Sequence, residues 1–379
     1  MTRIFFNDHV EAPLSEHPSD AIAFHQRLPG YSPTRLVGAD SIARKLGIES
    51  LWVKDESRRI GLPSFKILGA SWAVYRALQE HVGDLGEWND IEDLKARLKN
   101  HLPLALAAAT DGNHGRAVAR MASILGVESR IFVPVGTSPA RREAIESERA
   151  ACIVVDGSYD DAVARAAQEA STSCLVISDT SWPGYEKVPQ WVVEGYGTIF
   201  AEVDEQLAGD APDVVVIQVG VGALGAAAVQ HFRAGDKASC RLVAVEPDSA
   251  ACLLASVEAG RLETVPGPHR SIMAGLNCGT PSVIAWPYTS RGFDCYMTIE
   301  DSAAEEGMRL LADEGIVSGE TGAAGMGALV ELLAVPPAGD AGRRLNLRPD
   351  HEMRVLLIST EGATDPVSYE RIVGRPPSS

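Results

Sequence analysis

Short unbroken apolar runs alternate along the chain with longer stretches in which apolar residues recur every three or four positions. "LWVKDE" (51–56), "LALAAAT" (104–110), "SRIFVPVG" (129–136), "CIVVDG" (152–157), "CLVISDT" (174–180), "DVVVI" (213–217), "CRLVAVEP" (240–247) and "EMRVLLIST" (352–360) are of the first kind and predict strands. "SFKILGASWAVYRALQEH" (64–81), "DGNHGRAVARMASILG" (111–126), "SPARREAIESERA" (138–150), "YDDAVARAAQEAST" (159–172), "VPQWVVEGYGTIFAEVDEQL" (188–207), "EEGMRLLADEG" (305–315) and "TGAAGMGALVELLA" (321–334) are of the second kind and predict helices. Ser64 is placed to cap the first of these, and the polar stretch 82–101 predicts a short amphipathic helix.

Strands that are apolar throughout, separated by helices, imply parallel sheets covered on both faces, the α/β class. The elements form two clusters. They predict a small domain over 73–189 and a larger one from 1–72 with 190–379, with the active site in the cleft between them.

Composition narrows the function classes. With a formal net charge of −17 over 379 residues, a polyanionic partner such as nucleic acid is disfavoured. No apolar run approaches the ~18–20 residues that span a bilayer, and the N-terminus does not read as a secretory signal. The six cysteines, at 152, 174, 240, 252, 278 and 295, form no C-x-x-C pair and match no zinc spacing, so no metal is expected. Such scattered cysteines suit free thiols in a reducing cytoplasm.

Four stretches carry candidate chemistry. "IQVGVGALGAAAV" (217–229) spells G-x-G-x-x-G at Gly220, Gly222 and Gly225, and Glu246 ends the next apolar run. That is the outline of a dinucleotide fingerprint, but the glycine loop itself says only that a phosphate can sit on a helix N-terminus. Lys66 falls in the first turn of its helix, where negative charge is favoured. The pattern admits an exposed lysine at a loop edge or a lysine held to form an imine. Thr110, Asp111, Gly112, Asn113 and His114 crowd one strand-to-helix turn, where capping and ligand binding are both open readings. Ser359 and Thr360 end a strand and offer hydroxyls. An amine for an imine, a phosphate cradle, an Asn and a strand-end hydroxyl together suit pyridoxal phosphate better than NAD, which has no use for the lysine.

With those residues in place, the chain resembles fold-type-II pyridoxal phosphate enzymes, the class of the tryptophan synthase β-subunit. Within it the chain is similar to the diaminopropionate ammonia-lyase family. The likeness runs from "KDES" (54–57) to "ISTEGATD" (358–365) and rests most on "DGNHG" and "SDTSWPGY". It implies that Lys66 bonds the cofactor aldehyde, Asn113 its phenolic oxygen, the amides of Gly220, Val221, Gly222, Ala223 and Leu224 its phosphate, and Ser359 or Thr360 its pyridine nitrogen. It implies that Asp111 and Asp179 serve catalysis with Lys66, and that Thr110, Asp111, Gly112, His114 and Asp179 meet the substrate. Asp111 stands where related serine and threonine dehydratases carry a small residue, and a carboxylate there suits a second substrate ammonium. The implied reaction is α,β-elimination of 2,3-diaminopropionate to pyruvate and two ammonia, in a cytoplasmic homodimer acting on a small amino acid. The likeness also admits pairing of Cys252 with Cys278. Pro63, Ala70, Ala117 and Arg120 depart from the family pattern around the site and bear on substrate range. The rival readings are a serine, threonine or hydroxyaspartate dehydratase of the same fold and, further off, an NAD-binding oxidoreductase.

Overall fold

The computed structural model describes residues 2–11, 20–110, 112–235, 239–334 and 352–377. Among them are eleven strands: β1 (Ile4–Phe6), β2 (Leu36–Gly38), β3 (Ser50–Asp55), β4 (Ala105–Ala109), β5 (Glu128–Pro134), β6 (Ala151–Val155), β7 (Cys174–Val176), β8 (Val214–Gln218), β9 (Arg241–Pro247), β10 (Cys295–Ile299) and β11 (Arg354–Ser359). They make two sheets, of order β1-β10-β9-β8-β11-β3-β2 and β6-β5-β4-β7. The chain divides into two compact units, one of Met1–Pro18, Pro33–Arg58 and Ile199–Ser379, the other of Ser19–Ser32 and Arg59–Thr198. The helix Lys66–Val82, split at residue 72 in the sequence reading, thus lies wholly in the second unit.

In the first unit the five inner strands of the seven-stranded sheet run parallel. β8, "VVVIQ", is buried at every position, because helices cover both faces of a central parallel strand. The core beneath it is aliphatic and methionine-rich, with Val214, Val216, Val243, Met297, Met308 and Leu329 in contact. The edge strands β1 and β2 are antiparallel to their neighbours and only three residues long. Short edges offer little backbone to stray pairing. The sequence reading missed both, and β10, "CYMTI", because runs this brief lack a period.

The four strands of the second unit are all parallel. β4, "ALAAA", is buried throughout, and its small side chains let helices approach closely. Each strand here leads into a loop at its carboxyl end, and two of those loops carry the chemistry described next. Among the described residues no helix is long and apolar enough to cross a membrane.

Candidate active site

The second unit brings three of the expected residues together. The helix Lys66–Val82 begins at the lysine itself. Phe65 occupies the cap position without a side-chain cap bond, so Ser64 does not cap this helix as the pattern suggested. The cation at a helix start is instead answered by Asp179, whose Oδ2 lies 2.8 Å from Lys66 Nζ. The rings of Phe65 and Tyr196 stand 5.4 and 5.9 Å from that nitrogen, giving it aromatic walls. Burial pushes the Asp179 carboxyl up, but the His114 ring, when Nδ1 carries a proton, and the Lys66 ammonium outweigh it and hold the group well below the usual carboxylate range.

Asp179 is fixed by its own loop. The Tyr185 hydroxyl donates to Val176 O at 2.6 Å and accepts from Ser178 N at 3.1 Å, while its ring stacks on Trp182 at 4.2 Å. These contacts staple "SDTSWPGY" back onto β7, which is more than a turn aspartate after a strand requires.

The turn after β4 reads Thr110 to His114. Thr110 Oγ1 accepts from Gly112 N at 2.9 Å, and the helix Asn113–Leu125 starts with Gly112 at its cap position. Asp111, expected as a cap or as a catalytic and substrate-binding carboxylate, lies outside the described residues. His114 is buried, with Nε2 2.8 Å from Ile177 O and Nδ1 3.8 Å from Asp179 Oδ2.

The other expected residues belong to the first unit. The loop after β8 leads into the helix Ala223–Phe232. Gly222 caps it with φ +105°, a left-handed conformation that L side chains rarely adopt. A β-carbon on Gly220 would stand 2.9 Å from Gly275 O, so the neighbouring segment also requires a bare backbone there. Ala226 N donates to Gly222 O, leaving the N–H groups of Ala223, Leu224 and Gly225 without an intrahelical acceptor. Ser359 ends β11, buried, with its Oγ 2.8 Å from Ser318 Oγ. Thr360 Oγ1 accepts from Gln218 Nε2 at 3.0 Å, and the same amide donates to Ile358 O at 2.9 Å. Gln218 therefore ties the end of β8, where the glycine loop starts, to the hydroxyls at the end of β11.

Pyridoxal phosphate needs an amine, a cluster of free donors for its phosphate and a polar group for its ring nitrogen. The first unit offers the unpaired N–H groups of Ala223, Leu224 and Gly225 and the strand-end hydroxyls of Ser359 and Thr360, and the second unit offers the Lys66 amine. The residues present fit the cofactor.

The dinucleotide outline loses its acidic residue. Glu246 does not await a ribose: its carboxylate is fully buried and accepts from Leu253 N at 2.7 Å and Leu254 N at 2.8 Å, capping the helix Cys252–Ala259. Burial raises it to about 8 against the pull of those two donors. None of the six cysteines forms a disulfide, as their scattered spacing suggests, and the pairing of Cys252 with Cys278 that the likeness admits is not formed. One supporting residue escaped the sequence reading. His25 is fully buried, its Nε2 2.9 Å from Leu68 O and its Nδ1 2.8 Å from Thr198 Oγ1, and so anchors the first turn of the lysine helix. It stands alone in an apolar run and has no local signal.

Comparison with known proteins accords with this geometry. A family model described as pyridoxal-phosphate dependent enzyme matches residues 27–342. Diaminopropionate ammonia-lyase of Salmonella typhimurium is 37% identical over 372 residues, covering 93% of this chain and 91% of its own. The crystal structure of the Escherichia coli diaminopropionate ammonia-lyase with D-serine superposes with a TM-score of 0.90 at 34% identity, covering 98% and 97% of the two chains. The same enzyme with an aminoacrylate-PLP azomethine reaction intermediate gives 0.88 at 34% identity and the same coverage.

Proposed function

Because the chain belongs to the diaminopropionate ammonia-lyase family of pyridoxal-phosphate dependent enzymes, we propose that it eliminates ammonia from 2,3-diaminopropionate, giving pyruvate and a second ammonia. The observation that carries the proposal is the 2.8 Å pair of Lys66 with buried Asp179. A dehydratase acting on a hydroxyl has no ammonium to receive; a substrate with a second amine does, and a carboxylate beside the reactive lysine receives it.

When bound, the cofactor supplies an electron sink for the pair left at the substrate Cα. The residues proposed to hold it are Lys66 at its aldehyde, Asn113 at its phenolic oxygen, the N–H groups of residues 220–224 at its phosphate, and Ser359 or Thr360 at its ring nitrogen. The larger unit, which carries the glycine loop and β11, is proposed as the part that grips it. A neutral hydroxyl at the ring nitrogen favours elimination over transamination.

Two kinds of base flank the substrate Cα in this reading. Lys66 takes the proton from one enantiomer, and Asp179 with Asp111 takes it from the other. While Lys66 is a free ammonium, Asp179 is held too low to be a good proton acceptor and acts as an ammonium partner. Once Lys66 has given up its proton, that opposing charge is gone and the carboxylate becomes more basic. The proposal further holds that the enzyme is a cytoplasmic homodimer, which light scattering on the purified protein tests.

The deciding experiment is a pyruvate and 2-oxobutyrate assay over D- and L-diaminopropionate, serine, threonine and hydroxyaspartate. Turnover of diaminopropionate well above the others is expected. Turnover of serine with none of diaminopropionate overturns the substrate assignment.

A further inference from the structure

His114 is the second residue of its helix, and its ring is buried. Its Nε2 faces the carbonyl oxygen of Ile177 at 2.8 Å. A carbonyl only accepts, so Nε2 carries the hydrogen. In the neutral ring Nδ1 is then a bare lone pair. That nitrogen is buried and has no hydrogen-bond partner among the described residues. It lies 3.8 Å from Asp179 Oδ2, the oxygen that accepts from Lys66. A lone pair turned toward a carboxylate oxygen is repelled; a proton on Nδ1 makes the same geometry attractive. A shortening of about 0.7 Å brings the two atoms within hydrogen-bond range.

We infer that His114 is the proton store behind Asp179. The inference rests on the proposed elimination. The Cα–H bond breaks, its electron pair stays with the substrate carbon, and the proton passes to Asp179 Oδ2. From there it moves to His114 Nδ1, while Nε2 keeps its hydrogen on Ile177 O. An imidazolium now stands beside a carboxylate, and Asp179 is free to accept again. The proton returns by the same two atoms when a free Lys66 amine can take it. His114 so replaces the positive charge that Asp179 loses whenever Lys66 is not an ammonium.

Among the described residues, Tyr185 faces Asp179 and Tyr196 faces the Lys66–Asp179 pair, and both are pushed up by burial and therefore neutral. Arg141 passes Gly112, where a built β-carbon would meet its Cδ at 3.2 Å. Asp111, three residues before His114, lies outside the described residues.

His114→Gln tests the inference in the holoenzyme. The amide nitrogen can keep the bond to Ile177 O, and nothing remains at the Nδ1 position to take a proton. With diaminopropionate, kcat is expected to fall about 100-fold or more, KM to stay within roughly threefold, and one ionisation to vanish from the kcat–pH profile. A second measurement does not depend on turnover. Nitrogen NMR of histidine-labelled wild-type holoenzyme should show Nδ1 of His114 gaining a proton within the accessible pH range. In Asp179→Asn that titration should move to lower pH. Wild-type kcat and an unchanged profile in a folded His114→Gln, or an Nδ1 that stays bare at every pH, overturns the inference. Failure of the wild type on diaminopropionate would instead remove the reaction assignment, and the NMR titration would still decide whether His114 exchanges a proton with Asp179.

Discussion

Gly195 lies directly against Gly69: a β-carbon built on Gly195 would stand 2.8 Å from Gly69 Cα and 2.5 Å from Leu68 O. The helices Lys66–Val82 and Lys187–Leu207 cross at these two glycines. Mid-helix glycine is unfavourable by about 0.5–1 kcal/mol relative to alanine, so its presence on both sides needs a packing reason. The reason is the approach of Tyr196, whose Cε1 would lie 2.5 Å from a β-carbon on Gly69. Gly195→Ala meets backbone, which cannot step aside as a side chain can. It should destabilise the protein by about 1–3 kcal/mol despite its better helix propensity, read as an earlier denaturant transition. A more stable variant would contradict the close-packing argument.

Asp179→Asn separates charge from shape at the lysine. The folded carboxyl is held low by His114 and Lys66 against burial, whereas an unfolded aspartate titrates near 3.9. A depressed folded pKa stabilises above the unfolded value, and that stabilisation is lost as pH falls through the folded one. Wild-type melting temperature should therefore drop more steeply than the variant's on acidification below about pH 4. At neutral pH the variant should lose about 100-fold or more in kcat. Parallel slopes in the two melting series would show that the ion pair contributes nothing to folding.

Much of this was legible in the chain, for physical reasons that vary by residue. The inner strands β4, β8 and β9 announce themselves because a parallel strand buried on both faces must be apolar at nearly every position. Gly222 was legible because its φ of +105° restricts the position, and Lys66 because a cation at a helix start asks for an explanation. Cap positions were not: Ser64 and Phe65 both precede the lysine, and only the backbone dihedrals decide between them. Long-range partners were not either. Nothing in "AIAFHQ" says that His25 reaches Leu68 O, and nothing near Glu246 says that its carboxylate is spent on Leu253 and Leu254 rather than on a ribose.

Glu246 should reverse the usual pH dependence of a carboxylate. Burial raises it to about 8 in the fold, while an unfolded glutamate titrates near 4.3. Between those values the folded state binds the proton and the unfolded state does not. Stability must then fall as pH rises from about 4.5 to 8, by up to about 1.4 kcal/mol per unit, and level off above. Glu246→Gln keeps an oxygen for one of the two helix N–H groups and cannot ionise. Denaturation midpoints taken from pH 5 to 8 should decline for the wild type and decline less for the variant. Identical slopes would mean that Glu246 is ionised in the fold throughout.

Lys54 offers a test of buried charge that leaves the chemistry aside. It is fully buried on β3, and its Nζ donates to Thr34 O at 2.8 Å, Glu202 Oε2 at 2.7 Å and Gln206 Oε1 at 2.8 Å. Glu202 is equally buried and also accepts from Thr34 N at 3.2 Å. Removing the ammonium alone takes away the charge that faces this buried carboxylate, and Lys54→Met should cost about 3–5 kcal/mol. Removing both members of the pair leaves no such imbalance between them. Lys54→Met combined with Glu202→Leu should therefore be more stable than Lys54→Met alone, although it deletes more polar contacts. A double-mutant cycle in urea reads the coupling. Additive losses would place the value of Lys54 in its bonds to Thr34 and Gln206 rather than in its opposition to Glu202.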